Sequence, residues 1–240
     1  MKRSEINQIL RRADEFIRSR GFYLPPFAYW RPEEWRSKGP EVVEIVENHL
    51  GWDITDFGKG NFTKDGLFLF TLRNGHPDNR ARKARSAPLG AGKLYAEKLL
   101  IAEDQQVTPY HFHWAKMEDI INRGGGTLVM QLYNASPEEG LDNTPVVVSL
   151  DGVSRTLASG TIVRLSPGES ITLPPRLYHA FWAEGGRTLI GEVSLVNDDL
   201  RDNRFLDAPG RFPEIEEDEP PFYLLVTDYQ HYYGVKRGSA

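Results

Sequence analysis

His111-Phe112-His113, followed by Glu118 and much later by Pro174-Pro175-Arg176-Leu177-Tyr178-His179, is the stretch from which the fold of this chain can be read. Val107 to Trp114 reads as a β-strand, and histidines spaced i, i+2 on a strand project from the same face. Three imidazoles and one carboxylate fill most of the shell of a divalent first-row metal and leave a position or two for a substrate. On an unbroken strand Glu118 would face away from His113, so a turn or bulge between Trp114 and Met117 is expected to restore it. His179 arrives from a distant strand, behind a double proline that stiffens its approach. An isolated His-x-His pair reads as ordinary hydrogen-bonding histidines. Here three of the chain's six histidines share one spaced pattern with a carboxylate, which favours His111, His113, Glu118 and His179 as metal ligands.

Outward from that stretch, a strand-like period begins near Phe62. Leu67 to Leu72 and Lys93 to Ala102 precede the histidine strand. Thr127 to Tyr133 follows Gly124-Gly125-Gly126, which reads as a turn. Val146 to Leu150 turns at Asp151-Gly152 into Ser154 to Leu157, a strong hairpin signal. Thr161 to Leu165, Ser170 to Leu173, Tyr178 to Ala183 and Thr188 to Val193 continue the series, and Phe222 to Val226 is a candidate last strand. Many short strands at this spacing predict an antiparallel sandwich or barrel. The acidic, proline-bearing segment from Asn197 to Pro221 reads as an irregular lid or flap.

The first fifty residues read as helical. Ser4 is placed to cap a helix whose apolar stripe is Ile6, Ile9, Leu10, Ala13, Phe16 and Ile17. Pro32 and Pro40 suit the first turns of two short helices, the second running to Gly51. The expected division is an N-terminal helical extension over 1–60, packed on a β-barrel domain with a C-terminal flap over 61–240. A net charge of −5 argues against binding nucleic acid through a basic face. The basic run Arg80 to Arg85 reads as a solvated loop. Without cysteine, disulfides, thiolate ligands and cysteine nucleophiles are excluded. No apolar stretch resembles a secretory h-region or a membrane span, so the expectation is a soluble, cytoplasmic protein that engages no membrane.

The spacing resembles that of the cupins. Their first motif, His-x-His then Glu, is matched by His111, His113 and Glu118, and their second by Gly168, Pro174 and His179. Arg176 stands where that second motif usually has Gly, and Ala183 where Asn often lies, but no ligand is lost. A closer resemblance is to the D-lyxose isomerases, a family of cupin sugar isomerases. It is carried by Leu24-Pro25-Pro26-Phe27-Ala28, Phe70 to Gly75, Tyr95 to Lys98, His111 to Gly126, Leu165 to Glu169, Gly191 to Ser194, Val196 to Asp199 and Glu217 to Pro220. The resemblance implies a mainly β cupin fold, a jelly-roll antiparallel β-barrel. It also implies manganese or a similar divalent ion, an aldose–ketose interconversion and a homodimer.

Such an isomerisation needs a base near C1 and C2 of the sugar. Glu192, a charge interrupting the apolar run Leu189 to Val193, is the first candidate, and the family resemblance favours it. Parity alone leaves an outward carboxylate equally open. Lys98 has the same character and would donate to a sugar oxygen, against the reading of a solvent-facing lysine. Glu217 and Glu219 are the alternative bases if the flap closes. Asp198 and Asp202 either bind sugar hydroxyls or cap turns. Trp114, Phe181 and Trp182 read as core. Two other functions fit three His and one Glu: a cupin dioxygenase or oxidase using iron, and a non-catalytic sugar-binding cupin. A phosphosugar isomerase is a nearer rival, disfavoured by net acidity and the lack of a phosphate cradle.

Overall fold

The computed structural model describes residues 1–76, 92–207 and 215–233. The basic run at 80–85 lies outside them, as do residues 208–214 of the acidic segment. Helix α1 (Arg3–Ser19) buries Ile6, Leu10, Ala13 and Ile17, the i, i+4, i+7, i+11 face of the expected stripe. It begins two residues earlier than a Ser4 cap would allow. Lys2 is the capping position, its N–H accepted by the Glu5 carboxylate at 3.0 Å, and the Ser4 hydroxyl donates instead to Asp218 at 2.7 Å. The C-terminal segment packs beside this end, and Glu216 accepts the Arg3 N–H at 2.8 Å, which extends the ordered start.

Pro32 opens α2 (Pro32–Arg36), and Pro40 opens a 3-10 turn leading into α3 (Val43–Glu47). The last of these stops at Glu47 rather than Gly51, because the chain reverses at His49 (φ 52°) and Gly51 starts a strand. That strand, β1 (Gly51–Thr55), pairs antiparallel with β2 (Leu67–Arg73), which pairs with β3 (Tyr95–Ala102). The series of strands therefore begins upstream of Phe62. Next come β4 (Thr108–Phe112), β5 (Glu118–Ala135), β6 (Leu141–Asp142), β7 (Val146–Leu150) and β8 (Val153–Leu157). They are followed by β9 (Ile162–Leu165), β10 (Ser170–Leu173), β11 (Leu177–Leu195) and β12 (Arg204–Phe205).

Two long strands organise the whole. β5 and β11 run antiparallel along nearly their full lengths, and each serves two sheets. The first sheet runs β1-β2-β3, then the C-terminal half of β11, the N-terminal half of β5, β10, β7 and β8. The second is built from β12, β4, the N-terminal half of β11, the C-terminal half of β5, and β9. The fold is thus a two-layer antiparallel jelly roll.

Gly124-Gly125-Gly126 is not a turn. It lies inside β5, opposite Gly185-Gly186 in β11, where the pairing register shifts between Glu184 and Thr188. Gly124 and Gly125 have φ of 122° and 114°, and a Cβ on Gly125 or Gly126 would collide with the carbonyl of Arg187 or Gly186. The glycines let both strands bend together as they pass between sheets. Tyr178 to Ala183 and Thr188 to Val193 are accordingly one strand. Asp151 (φ 50°) and Gly152 (φ 82°) form the expected tight hairpin turn. Phe222 to Val226 is not a strand: only Leu225 bridges to Trp52 before a 3-10 turn and α4 (Tyr229–Tyr232). There the Leu225 N–H is drawn to the Asp228 carboxylate at 2.9 Å.

The jelly-roll interior is apolar at one end, with Leu128, Met130, Leu132, Val148, Ile171 and Leu173. The other face of the first sheet, through Trp52, Phe68, Phe70, Leu99 and Ile101, packs on α1. Each large side chain buried there contributes about 1.5–3 kcal/mol. The helical layer thus fixes which side of β1, β2 and β3 faces inward, and so what lines the open end of the barrel. No helix among the described residues is long and apolar enough to cross a membrane.

Candidate metal centre

His111 lies on β4 and His179 on β11, and their Cα positions are cross-strand partners. His113 follows the end of β4, and Glu118 opens β5. The ladder is broken between Phe112 and Glu118, as the spacing requires, and the break returns the carboxylate to the imidazole side. The nitrogen donors of His111, His113 and His179 lie within 4.8 Å of one another. Glu118 Oε1 is 3.3 Å from Nε2 of both His113 and His179.

Hydrogen bonding fixes what these atoms present. Nδ1 of His111, His113 and His179 meets the carbonyl of Pro109, Asp202 and Leu177 at 2.8, 2.7 and 3.1 Å. A carbonyl only accepts, so each Nδ1 carries the proton and each Nε2 offers a lone pair. Burial, then His179 and His113, hold His111 well below its ordinary value, and burial holds His179 at about 4. Both are neutral at pH 7. Glu118 Oε1 is buried without a hydrogen-bond partner. Acceptors converging with no donor among them are what a bound cation satisfies, and the His₃–carboxylate set fits a divalent first-row metal.

Beside it stands a residue the sequence reading did not single out. Lys116 Nζ is 2.8 Å from Glu118 Oε2, 2.8 Å from Glu192 Oε1 and 3.3 Å from Asn197 Oδ1. Burial opposes charge on both Lys116 and Glu118. The carboxylates of Glu118 and Glu192 outweigh it and raise Lys116, while Lys116 holds Glu118 well below the usual carboxylate range. Lys116 sits in the aperiodic loop between β4 and β5, where no alternation tells which way a side chain points.

Glu192 and Lys98 both face inward, are buried, and are direct cross-strand partners on β11 and β3. Lys98 Nζ lies 3.8 Å from Glu192 Oε1 and 3.7 Å from Asp199 Oδ1. The Ser194 hydroxyl is 3.2 Å from that same Glu192 oxygen. Glu192 Oε2 has no hydrogen-bond partner among the described residues. Both residues line, with the histidines and Glu118, a cavity of about 1420 Å³ bounded by described residues.

The remaining candidates, Phe181 apart, lie off the cavity lining. Glu217 pairs with the Arg3 guanidinium at 2.7 Å, and Glu219 accepts from Asn7, both against α1 and away from the cavity lining. Asp198 pairs with Arg201 at 2.8 Å. Asp202 caps a turn: its carboxylate accepts the N–H groups of Ala115 and Lys116 at 2.9 and 3.0 Å. Trp114 is partly exposed and donates to Glu139, while Phe181 lines the cavity. Arg176, in the place of the usual glycine, takes the left-handed conformation itself (φ 62°) and donates its N–H to the His113 carbonyl at 2.8 Å.

An antiparallel jelly roll that gathers three imidazoles and a carboxylate at one interior point is a cupin-type fold with a candidate metal site. Within that class the chain belongs to the D-lyxose isomerase family, whose model matches residues 1–229. It is 49% identical over 232 residues to the D-lyxose/D-mannose isomerase of Serratia proteamaculans, covering 95% of this chain and 98% of that one. To the D-lyxose/D-mannose isomerase of Escherichia coli O157:H7 it is 47% identical over 235 residues, covering 97% and 100%. Among solved structures, a mutant form of Acinetobacter sp. DL28 L-ribose isomerase in complex with L-ribose aligns at TM-score 0.57 and 15% identity. That of Cellulomonas parahominis with L-ribose aligns at 0.57 and 16%, and both alignments cover 90% of this chain and 98% of the other. This second likeness is one of fold.

Proposed function

We propose that this protein is a metal-dependent aldose–ketose isomerase that interconverts D-lyxose with D-xylulose and D-mannose with D-fructose. The observation that carries the reading is a buried carboxylate with one free oxygen, Glu192, set beside a convergent ligand set in a cavity. The relatives' activities give the substrates. His111, His113, Glu118 and His179 would hold the ion, and manganese suits their mixed nitrogen and oxygen donors. When bound, such an ion supplies positive charge that favours the enediolate form of the sugar.

The chain's own groups would carry the carbon-bound proton. Conversion of aldose to ketose moves one hydrogen from C2 to C1 and one from O2 to O1. Glu192 Oε2 would take the C2 proton and return it to C1, so the same carboxylate ends the cycle as it began. Lys116 and Lys98 both approach Oε1, which leaves Oε2 for the substrate. Lys98 and Lys116 also place positive charge near the sugar oxygens as negative charge develops there. The half-exposed apolar pair Tyr95 and Leu195, with Val193 and Met117 nearby, supports a homodimer joined through this outer face.

The test measures ketose formation from D-lyxose and D-mannose by chelator-treated and manganese-restored protein, without oxygen and in deuterated water. Manganese-dependent ketose carrying solvent deuterium at C1 is expected. Turnover that requires oxygen, or sugar binding without any deuterium uptake, would reject the isomerase. Glu192→Gln is expected to lower kcat by at least about a hundredfold while leaving metal content unchanged.

A further inference from the structure

Asp53 is a charged residue on the cavity wall, beside the apolar side chains of Leu69 and Leu100. Its neighbours in β1, Trp52 and Ile54, pack into the helical layer, while Asp53 lines the cavity with Lys98 and Glu192. Across the sheet its partner is Leu69, and that of Leu69 is Leu100; both leucines line the same cavity. Asp53 Oδ1 accepts the Ile54 N–H at 2.8 Å, and Oδ2 has no hydrogen-bond partner among the described residues. Burial pushes the carboxyl up to about 7, against the effect of the Ile54 N–H, with Asp199 adding to the rise. The fold thus bears a cost for this side chain and draws only one local hydrogen bond from it. An unpartnered carboxylate oxygen facing a cavity is the group that a ligand's O–H donors would satisfy.

Its position says which part of the ligand. Glu192, Lys98 and Thr71 form one row across β11, β3 and β2, ending at Gly51 of β1. Asp53 is two strands over from Lys98 and two residues along, about 12 Å between backbones for ordinary sheet spacing. A sugar with C1 and C2 beside Glu192 and the histidines would extend its remaining carbons across this floor toward Asp53. We propose that Asp53 binds the hydroxyl groups farthest from the carbonyl end and so helps select which sugar is accepted, a specificity-determining role that rests on the sugar-isomerase reading above.

Binding tests this without requiring turnover. Calorimetry of manganese-loaded wild type, Asp53→Asn and Asp53→Ala with D-lyxose is expected to show about tenfold or more weaker binding by Asp53→Ala, with Asp53→Asn between. With the 4-deoxy or the 5-deoxy analogue of D-lyxose the gap should close to within about twofold, because the partner hydroxyl is gone. In turnover the loss is expected in KM, with kcat and metal content near wild type. Equal affinity of wild type and variants for D-lyxose, or a gap unchanged on both analogues, would overturn the assignment. Wild type that binds D-lyxose but never isomerises it would reject the enzyme reading alone, leaving Asp53 to be judged by the affinities. Wild type that binds no aldose would remove both.

Discussion

Asp202 orients two neighbours with different atoms. Its carbonyl accepts a hydrogen bond from Nδ1 of His113, and its carboxylate accepts the N–H groups of Ala115 and Lys116, so it sets both the candidate ligand and the loop that carries Lys116. Asp202→Ala is therefore expected to weaken manganese binding by roughly tenfold to a hundredfold, with Asp202→Asn in between. Competition against a chelator measures this, and an unchanged affinity would show that the loop holds its shape without the carboxylate. Asp53 makes the opposite kind of contribution. Its carboxyl is raised from the usual range to about 7, chiefly by burial. Below about pH 4 it is neutral folded or unfolded; between pH 4 and 7 the unfolded chain ionises first, so stability falls as pH rises. Asp53→Asn should be more stable than wild type at pH 8, by on the order of a few kcal/mol at most, and no more stable than wild type near pH 4. A gain of the same size at both pH values would contradict this origin. Whether Glu192 faced in or out was undecidable from alternation alone, and Lys116 gave no signal at all.

Among the secondary-structure elements, the bend shared by β5 and β11 is what lets one ribbon serve two sheets. Gly125 is the residue on which it turns, since its φ of 114° and the Arg187 carbonyl both exclude a side chain. Gly124 has a similar φ of 122°, but a Cβ there would meet only Cδ of Arg20, at 3.4 Å. Gly125→Ala is expected to cost about 3 kcal/mol or more, and Gly124→Ala less, since only backbone strain opposes it. Urea unfolding of the two variants gives the comparison; equal losses would mean that strain, not the carbonyl, dominates. A run of three glycines between apolar stretches reads as a turn because glycine permits turns and bends alike. The deciding fact is a partner strand some sixty residues away, bending at Gly185-Gly186.

At the scale of the molecule, a buried guanidinium is the charged centre of the contacts that fasten the C-terminal segment to the N-terminus. Arg3 is buried, bonded to Asp228 by two 2.9 Å contacts and to Glu217 by contacts of 2.9 and 2.7 Å. Glu217 is largely exposed, so its share is small, but Asp228 is buried. Arg3→Ala should therefore cost about 3–5 kcal/mol by stranding the Asp228 charge. Arg3→Lys should recover only part of it, because an ammonium cannot match the planar fork. Chemical denaturation distinguishes these outcomes, and a loss below about 1 kcal/mol would make the contact a surface ion pair in effect. The acidic tail that reads as a possible lid is thus, over Glu217 to Glu219, a clamp on α1.

The strand-rich architecture, the helical stripe of α1, the Asp151-Gly152 hairpin and the four residues that converge were all legible in the order of amino acids. Each is a local matter of period, turn chemistry or spacing, and each is written within a few residues or in a motif that keeps its register. It took the packed molecule to establish that Glu192 and Lys98 face the cavity, that Lys116 joins Glu118 to Glu192, and that Glu217 and Glu219 do not line it. Those facts depend on which side of each strand α1 covers and on where the β5–β11 ribbon bends. They are set by packing between segments far apart in the chain, which no local pattern records.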